Sequence, residues 1–215
     1  MKNIADIKSG IIGVYKTKGI SSFEVIKELR QRLKIKKIGH AGTLDPLAQG
    51  VLAVGIGKEA CRNLFQIVKK EKEYLALIKL GFNSLTDDEE GKKEETDIIQ
   101  EPSLKEIKRA LKKFKGIFYQ VPPIYSAIKI NGKPAYKFAR EKEKIIFRKR
   151  AVEVKKIKIL NYQWPFLKMR IVSGPGFYVR ALARDIGKEL KTGGYLADLE
   201  RIRVGDFKKK DCFRI

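Results

Sequence analysis

Apolar and polar positions alternate along this chain in blocks that predict strands and amphipathic helices in turn. Apolar runs predict strands at residues 11–15, 51–56, 74–80, 148–160 and 166–172. Apolar residues three and four positions apart predict helices that begin near residues 21, 58, 103 and 135 and just beyond 176. Ser21 with Glu24 and Ser103 with Glu106 have the spacing of capping boxes, so two of these helices have defined starts.

The helical spacing also predicts which side chains are buried. In the first helix the predicted stripe is Phe23, Ile26, Leu29 and Leu33. In the second helix, over residues 58–68, it is Ala60, Leu64, Phe65 and Val68. In the last long helix, a basic stripe lines the side opposite the apolar stripe: Arg180, Arg184, Lys188 and Lys191. Because like charges four positions apart repel each other, we expect an external phosphate backbone to offset this basic stripe.

Residues 39–50 form a stretch rich in glycine and proline. They include three glycines, Pro46 and the only histidine, His40, together with one carboxylate, Asp45. Glycine permits backbone conformations that a Cβ forbids, and Pro46 restricts Asp45 to an extended conformation. The apolar run that begins at Val51 would anchor this loop on a buried strand. Residue types alone favour an ordinary tight turn over a loop shaped to present Asp45.

The charge balance indicates that the protein binds an acidic partner. The 215 residues include 48 Lys and Arg against 25 Asp and Glu, a formal net charge of +23 with a pI near 9.9. Such a field favours nucleic acid as the partner, although part of the lysine content also fits heat adaptation. Cys61 and Cys212 form no CxxC pair, which fits a reducing cytoplasm, and no apolar run approaches the length of a membrane span. A single domain over residues 1–215 is expected, since no linker or repeat interrupts it.

Two segments fall outside any convincing core pattern. Residues 122–150 mix aromatic side chains with Lys and Arg, and Asn131-Gly132 within them predicts a hairpin. Such a mixture fits an RNA-gripping insertion and equally well a surface hairpin with scattered charges. The acidic residues at 87–90 predict a solvated turn rather than a metal site, because no pattern of glycine-spaced ligands accompanies them.

Several reaction classes with a sequence signature are excluded. Glycoside hydrolysis usually needs two placed carboxylates, and the 39–50 loop has only Asp45. The sequence has no GxSxG or Cys/His pairing for acyl transfer, no Walker loop and no GxGxxG that opens a βαβ unit. The HxE and PCxxC ligands of zinc deaminases are also absent. What remains is one aspartate on a rigid loop of a very basic protein, with a candidate partner arginine on the last long helix.

The order of motifs resembles that of the TruB family of tRNA pseudouridine synthases. GHAGTLDPLAQG at residues 39–50 resembles the catalytic signature of that family, and KTKGISS at 16–22 resembles its motif near the start. Further similarities are KEY at 72–74 with LG at 80–81, PPIYSAIK at 122–129, GFYVR at 176–180 and the closing segment at 199–207. The resemblance covers nearly the whole chain. It implies an α/β (α+β) fold with a central mixed β-sheet flanked by helices, within which the segment at about 122–150 would be the RNA-gripping insertion. As a departure from many relatives, we expect no separate C-terminal RNA-binding domain.

The resemblance also implies an activity, the isomerisation of the T-loop uridine at position 55 of tRNA to pseudouridine by base flipping, without a metal or organic cofactor. Asp45 would be the nucleophile, with attack on the sugar or on the base left open. Tyr74 would stack on the target base and assist proton transfer, and Arg180 would pair with Asp45 and keep it ionised. The expected RNA- or substrate-binding residues are His40, Lys16, Tyr178, Arg184, Lys188 and Lys129.

Some positions depart from the family pattern, and some alternatives stay open. The usual Asp-Lys-Pro near the start reads Tyr15-Lys16-Thr17 here, and the acidic loop lacks its first aspartate, so no role is carried over to that loop. The T arm of tRNA is the expected partner of a monomeric, cytoplasmic protein that requires neither metal nor membrane. The other interpretations are a tRNA-folding RNA-binding module with little activity and a synthase that acts on other RNA.

Overall fold

The computed structural model describes residues 4–126, 128–130, 132–141 and 147–214. The helices are α1 (Ser22–Leu33), α2 (Lys58–Val68), α3 (Leu104–Lys112), α4 (Ala135–Arg140) and α5 (Val179–Leu190). The strands are β1 (Gly10–Lys16), β2 (Ile38–Ala41), β3 (Gln49–Ile56), β4 (Lys72–Leu80), β5 (Phe82–Ser84), β6 (Lys93–Glu95), β7 (Gly116–Gln120), β8 (Lys129–Ile130), β9 (Lys133–Pro134), β10 (Arg150–Gln163), β11 (Phe166–Ser173), β12 (Gly194–Val204), β13 (Phe207–Lys208) and β14 (Phe213–Arg214). The mixed α/β fold with a large mixed sheet agrees with the prediction.

The chain divides into two compact units. The first takes in Met1–Leu75, Arg170–Pro175 and Leu199–Ile215, and the second takes in Ala76–Met169 and Gly176–Asp198. Strands β4, β11 and β12 therefore contribute residues to both units. The expectation of a single domain stays a prediction. In the ranges that the structure describes, no helix combines the length and the apolar character needed to cross a membrane.

In the first unit, strand β3 is covered on both faces. Strands β1 and β2 pair with it antiparallel, and β12 pairs with it parallel. One face of β3 packs against α1 through Leu52 and Val54, and the other packs against α2 through Val51 and Ala53. A strand covered in this way needs a continuous apolar run rather than alternation, which is the pattern in the sequence.

The predicted buried stripes of α1 and α2 are wrong at three positions. Phe23, Phe65 and Val68 are 63%, 56% and 45% exposed. In α1 the inward positions begin at Ser22, which is buried, so the neighbouring Phe23 is turned about 100° away from the core. In α2 the inward positions are Ala60 and Leu64, and Phe65 is turned away from them in the same manner.

In the second unit, strands β4, β11, β10 and β7 are neighbours in that order, and helices α3 and α5 contact each other. Strands β5 and β6 form a separate antiparallel pair, so residues 85–92 between them make up the acidic loop. Strands β8 and β9 also pair antiparallel, which confirms the hairpin predicted around residues 131–132. Asn131 itself and residues 142–146 of the predicted insertion lie outside the described residues.

Candidate active site

Asp45 lies in the turn that joins β2 to β3. His40 belongs to β2 and Gly50 to β3, so the turn is shorter than the loop predicted from the glycines. The N–H of Ala48 donates to the carbonyl of Asp45 at 3.0 Å, which closes the turn just after the aspartate. The carboxylate is therefore carried by a short connection between two paired strands.

Helix α1 fixes this turn from one side. The Oγ of Ser22 accepts the N–H of Leu44 and donates to the carbonyl of Leu44, both at 2.9 Å. Ser22 is buried, so water does not compete for these bonds. The residue directly before Asp45 is thus held at both of its backbone groups.

Lys16 fixes the residue on the other side of Asp45. Its ammonium group donates to the carbonyls of Ile20 at 2.6 Å, Thr17 at 3.0 Å and Pro46 at 3.4 Å. The N–H of Gly19 also donates to the carbonyl of Pro46, at 2.8 Å. The Lys16 side chain is fully buried, so a cation is placed where it holds the turn. Its predicted contact with substrate stays a prediction.

Arg201 is a functional candidate that the sequence motifs did not reveal. It lies on β12, is only 2% exposed, and its guanidinium donates to the carbonyl of Gly42 at 2.7 Å and to that of Val51 at 2.8 Å. These two carbonyls stand on either side of the turn that carries Asp45. One sequence signal was available. Arg201 lies two residues after the apolar Leu199, and residues two apart on a strand lie on the same face, so Arg201 would be expected to be buried with it.

Tyr74 joins Arg201 and Asp45 in the first unit. Burial raises the pKa of the Tyr74 phenol, the guanidinium of Arg201 within hydrogen-bonding reach acts in the opposite direction, and the negative charge of Asp45 raises that pKa further. Burial lowers the pKa of Arg201, whereas Tyr74 and Asp45 raise it. The predicted catalytic residues Asp45 and Tyr74 therefore both raise the pKa of the same guanidinium.

The charge of this guanidinium also lowers the pKa values of His40 and Lys72. Burial and then the charge of Arg201 lower the pKa of His40, so its imidazole is neutral near pH 7. The Nδ1 atom of His40 is buried and has no hydrogen-bond partner among the described residues. The same two causes lower the pKa of Lys72 to about 8. Its ammonium donates to the carbonyls of Lys70 and Val68 at the end of α2.

Arg180 is the buried arginine of the second unit. It is 5% exposed, and its guanidinium lies 3.1 Å from a carboxylate oxygen of Asp88. It also donates to the carbonyls of Tyr125 at 2.8 Å and Thr86 at 3.2 Å. The prediction that the acidic loop is a solvated turn is wrong at Asp88, because this arginine supplies a buried counter-charge. The predicted pairing of Arg180 with Asp45 stays a prediction.

Arg184, one turn further along α5, pairs with the same loop. Its guanidinium donates to Asp87 at 2.8 Å, to Asp185 at 3.0 Å and to the carbonyl of Val121 at 2.8 Å. Burial outweighs the attraction of Arg184 and Arg180 and raises the pKa of Asp87 to about 6. The expectation that a phosphate must offset the basic stripe is therefore wrong for Arg180 and Arg184, whose charges are balanced within the protein. The role of Arg184 in RNA binding stays a prediction.

The other predicted binding residues are distributed around α5 and β8. Tyr178 is the residue before α5, and Gln120 accepts its backbone N–H at 3.0 Å and donates to its carbonyl at 3.1 Å. Lys188 is exposed. Lys129 begins β8, and its side chain lies outside the described residues. No group of three or more His, Cys, Asp or Glu in the described ranges is arranged to hold a metal ion.

Comparison with known proteins decides the family. The family model described as TruB family pseudouridylate synthase (N terminal domain) matches residues 30–179. The chain belongs to this family. Another family member, the tRNA pseudouridine synthase B of Clostridium novyi (strain NT), is 43% identical over 207 residues, which cover 96% of this chain and 71% of the relative. The protein of that name from Francisella tularensis subsp. tularensis (strain WY96-3418) is 38% identical over 208 residues, 96% of this chain and 68% of the relative.

Solved structures agree with the fold of this TruB family member. A chain of a Cbf5–Nop10–Gar1 complex has a TM-score of 0.75 and 28% identity, and the match covers 100% of this chain and 55% of that one. A chain of an archaeal box H/ACA sRNP Nop10–Cbf5 complex has a TM-score of 0.71 and 26% identity, over 97% of this chain and 52% of that one. The chain thus spans about half the length of these two neighbours. The predicted pseudouridine synthase fold is confirmed.

Proposed function

We propose that this TruB family member isomerises uridine 55 in the T loop of tRNA to pseudouridine, with Asp45 as the nucleophile. The observation that carries the proposal is the backbone support of Asp45, whose neighbours Leu44 and Pro46 are held by Ser22, Gly19 and Lys16. Preorganised groups of this kind need no rearrangement when charge develops in the transition state. The two relatives named tRNA pseudouridine synthase B support tRNA as the substrate.

The proposed reaction is balanced without a co-reactant. Asp45 enables cleavage of the bond between C1′ of the ribose and N1 of uracil. The freed base turns and forms a new bond from its C5 to C1′, which leaves Asp45 free again. The proton on C5 is then removed, and N1, which has no hydrogen in uridine, gains one. Tyr74 stacks on the base and assists this proton transfer. The proposal includes a monomeric protein that acts in the cytoplasm without a metal or cofactor.

A uridine in a folded loop must leave its stack to meet Asp45. Extrusion costs a few kcal/mol, which contacts to the opened loop must offset. We assign the contact with the extruded nucleotides to His40 and Tyr178. We assign the RNA backbone contacts to Lys188, Lys129 and Arg184, in keeping with the net charge of +23. Arg180 is proposed to pair with Asp45.

The test is release of tritium from a T-arm minihelix that contains uridine labelled at C5. We expect one equivalent of tritium per RNA, since each isomerisation removes the hydrogen from C5. A minihelix with labelled uridines elsewhere and cytidine at the target position is the matched control and should release none. Binding of the minihelix without release would instead support the RNA-binding module.

The neighbours from the Cbf5 and box H/ACA complexes favour one alternative substrate, an RNA presented by other components. The curated relatives are more similar to this chain in sequence, so tRNA remains the proposed substrate. The minihelix separates the two, because it contains neither guide RNA nor a second protein. Release that begins only after a guide RNA is added would overturn the tRNA proposal.

A further inference from the structure

The guanidinium of Arg201 is buried in the first unit and is held there by hydrogen bonds. It is almost fully buried and donates to the carbonyls of Gly42 and Val51. A buried cation is costly unless its N–H groups are bonded and its charge is balanced nearby. The two carbonyls satisfy donors but carry no net charge, so the remaining balance must come from ionisable neighbours.

Two glycines allow Arg201 to come this close. Gly50 has φ +118° and is opposite Arg201 in the pairing of β3 with β12. A Cβ at Gly50 would lie 2.2 Å from the backbone oxygen of Arg201, and a Cβ at Gly42 would lie 3.4 Å from Nη1 of its guanidinium. Any side chain at Gly50 would therefore push β12 away. Gly50 of the signature is therefore explained in part by the approach of this arginine.

Besides Lys72, the ionisable neighbours on which the charge of Arg201 acts are residues of the proposed chemistry: Tyr74, Asp45 and His40. The guanidinium is within hydrogen-bonding reach of the Tyr74 phenol and is attracted by the Asp45 carboxylate. It also repels a proton from His40. A hydrogen bond accepted from Arg201 would leave the Tyr74 O–H free to point elsewhere. A carboxylate near a fixed cation stays ionised at lower pH.

We infer that Arg201 is a positioning residue of the active site, which holds both ends of the Asp45 turn while its charge stabilises the Asp45 carboxylate and orients the Tyr74 phenol. The inference rests on the proposed function for its catalytic consequence. Its electrostatic part can be measured without RNA or turnover. An arginine whose charge did not reach these groups would hold the turn without affecting their titration.

The RNA-free test uses His40, which is the only histidine and therefore gives one imidazole signal in an NMR titration. Arg201→Gln keeps a polar N–H₂ group but removes the charge, whereas Arg201→Lys keeps the charge. We expect the pKa of His40 to rise in Arg201→Gln and to stay near the wild-type value in Arg201→Lys. An unchanged pKa in a folded Arg201→Gln protein would overturn the inference.

The activity test compares pH profiles of kcat/KM for tritium release. For Arg201→Gln we expect a loss of about 100-fold or more and an acid limb moved to higher pH, because Asp45 loses its stabilising cation. For Arg201→Lys we expect an unmoved acid limb and a kcat lowered about tenfold, because a shorter ammonium cannot reach both carbonyls. A wild-type kcat in Arg201→Lys would contradict the inference even if Arg201→Gln failed to fold.

Arg203→Met is the matched control on the same strand. Arg203 is partly exposed and pairs with Glu73, which keeps Arg170 as a second partner at 2.6 Å. We expect this variant to leave both the pKa of His40 and the acid limb unchanged. Equal shifts in the Arg203→Met and Arg201→Gln proteins would show a general loss of positive charge and would overturn the inference. If the wild-type protein releases no tritium, the proposed function fails, while the NMR result still decides the electrostatic part.

Discussion

Each of the two units has a buried arginine, and the two arginines balance their charges differently. In the second unit, Arg180 forms a buried ion pair with Asp88, and the pair joins α5 to the acidic loop. In the first unit, the hydrogen bonds of Arg201 go to two neutral carbonyls on either side of Asp45. Its charge is stabilised instead by the Asp45 carboxylate and the Tyr74 phenol, which both raise the pKa of Arg201.

The difference separates Arg180, whose buried ion pair with Asp88 stabilises the fold whatever its proposed part in the reaction, from Arg201, which has no such ion pair and is inferred to act on the reacting groups. Removing one partner of a buried ion pair leaves an uncompensated charge, so the main effect at Asp88 should be on stability. Replacing a cation that is bonded to neutral carbonyls should change the titration of nearby groups as well. The predictions below test this distinction, beginning with the largest effect.

The first prediction concerns the carboxylate on which Arg201 is proposed to act. Asp45→Asn should lower kcat for tritium release by about 10⁴-fold or more, because the variant has no nucleophile. The Kd for a T-arm minihelix, measured by fluorescence anisotropy, should change by less than about threefold, since the amide keeps the shape of the site. Asp206→Asn, at an exposed carboxylate, is the control and should keep both constants. Equal losses in kcat and binding would contradict a specifically chemical role.

The second prediction concerns the ion pair of the second unit. Asp88→Asn should lower the free energy of unfolding by about 3–5 kcal/mol, because Arg180 loses its buried counter-charge. Urea denaturation followed by circular dichroism measures this change. Asp97→Asn, at an exposed carboxylate of the same unit, should change it by less than about 0.5 kcal/mol. A loss below about 1 kcal/mol in Asp88→Asn would show that the pair does not stabilise the fold.

The third prediction concerns Asp87, which precedes Asp88 in the chain, and its effect on the pH dependence of stability. Burial raises its pKa from 3.8 to about 6, so the folded protein binds this proton more tightly than the unfolded chain does. The Asp87 contribution to stability is therefore present below about pH 4 and is lost as pH rises to about 6, by up to about 3 kcal/mol. Asp87→Asn should remove this downward slope from the pH dependence of urea midpoints. A variant with the wild-type slope would contradict the assignment.

The fourth prediction compares the two ends of α5. Lys188 and Lys191 are exposed, whereas Arg180 and Arg184 are paired within the protein. Lys188→Glu with Lys191→Glu should weaken tRNA binding about tenfold and reduce the slope of log K against log salt by about 2, as expected for two phosphate contacts. Lys105→Glu with Lys108→Glu on α3 makes the same change in net charge. Equal effects from both double variants would indicate that binding depends on the overall positive charge of the protein rather than on phosphate contacts at Lys188 and Lys191.

The sequence predicted most strands and helices because their local patterns agree with the fold. The continuous apolar run of β3 and the capping boxes at Ser21 and Ser103 are local features, and both boxes form as predicted. The Asp45 turn was also predictable, because its glycines and Pro46 are adjacent in the chain. These elements depend on neighbours within a few residues.

Arg201, Asp88 and Phe23 were missed because their surroundings come from distant parts of the chain. Arg201 meets Val51 across 150 residues through strand pairing, and Asp88 meets Arg180 across 92 residues. The local signal at Arg201 is limited to its phase with the buried Leu199, and the residues next to Asp88 do not distinguish it from the charged residues of the surface. Phe23 is exposed because the adjacent Ser22 faces inward to bind Leu44. Periodicity alone could not distinguish a buried serine from a surface serine.

The most direct measurement is the position of pseudouridine in an unmodified tRNA transcript after incubation with the protein, mapped by carbodiimide modification and primer extension. We expect a single pseudouridine, at the T-loop uridine 55, after incubation with the wild-type protein and none after incubation with Asp45→Asn. A transcript without pseudouridine after wild-type incubation, or one modified equally by Asp45→Asn, would contradict the proposed function.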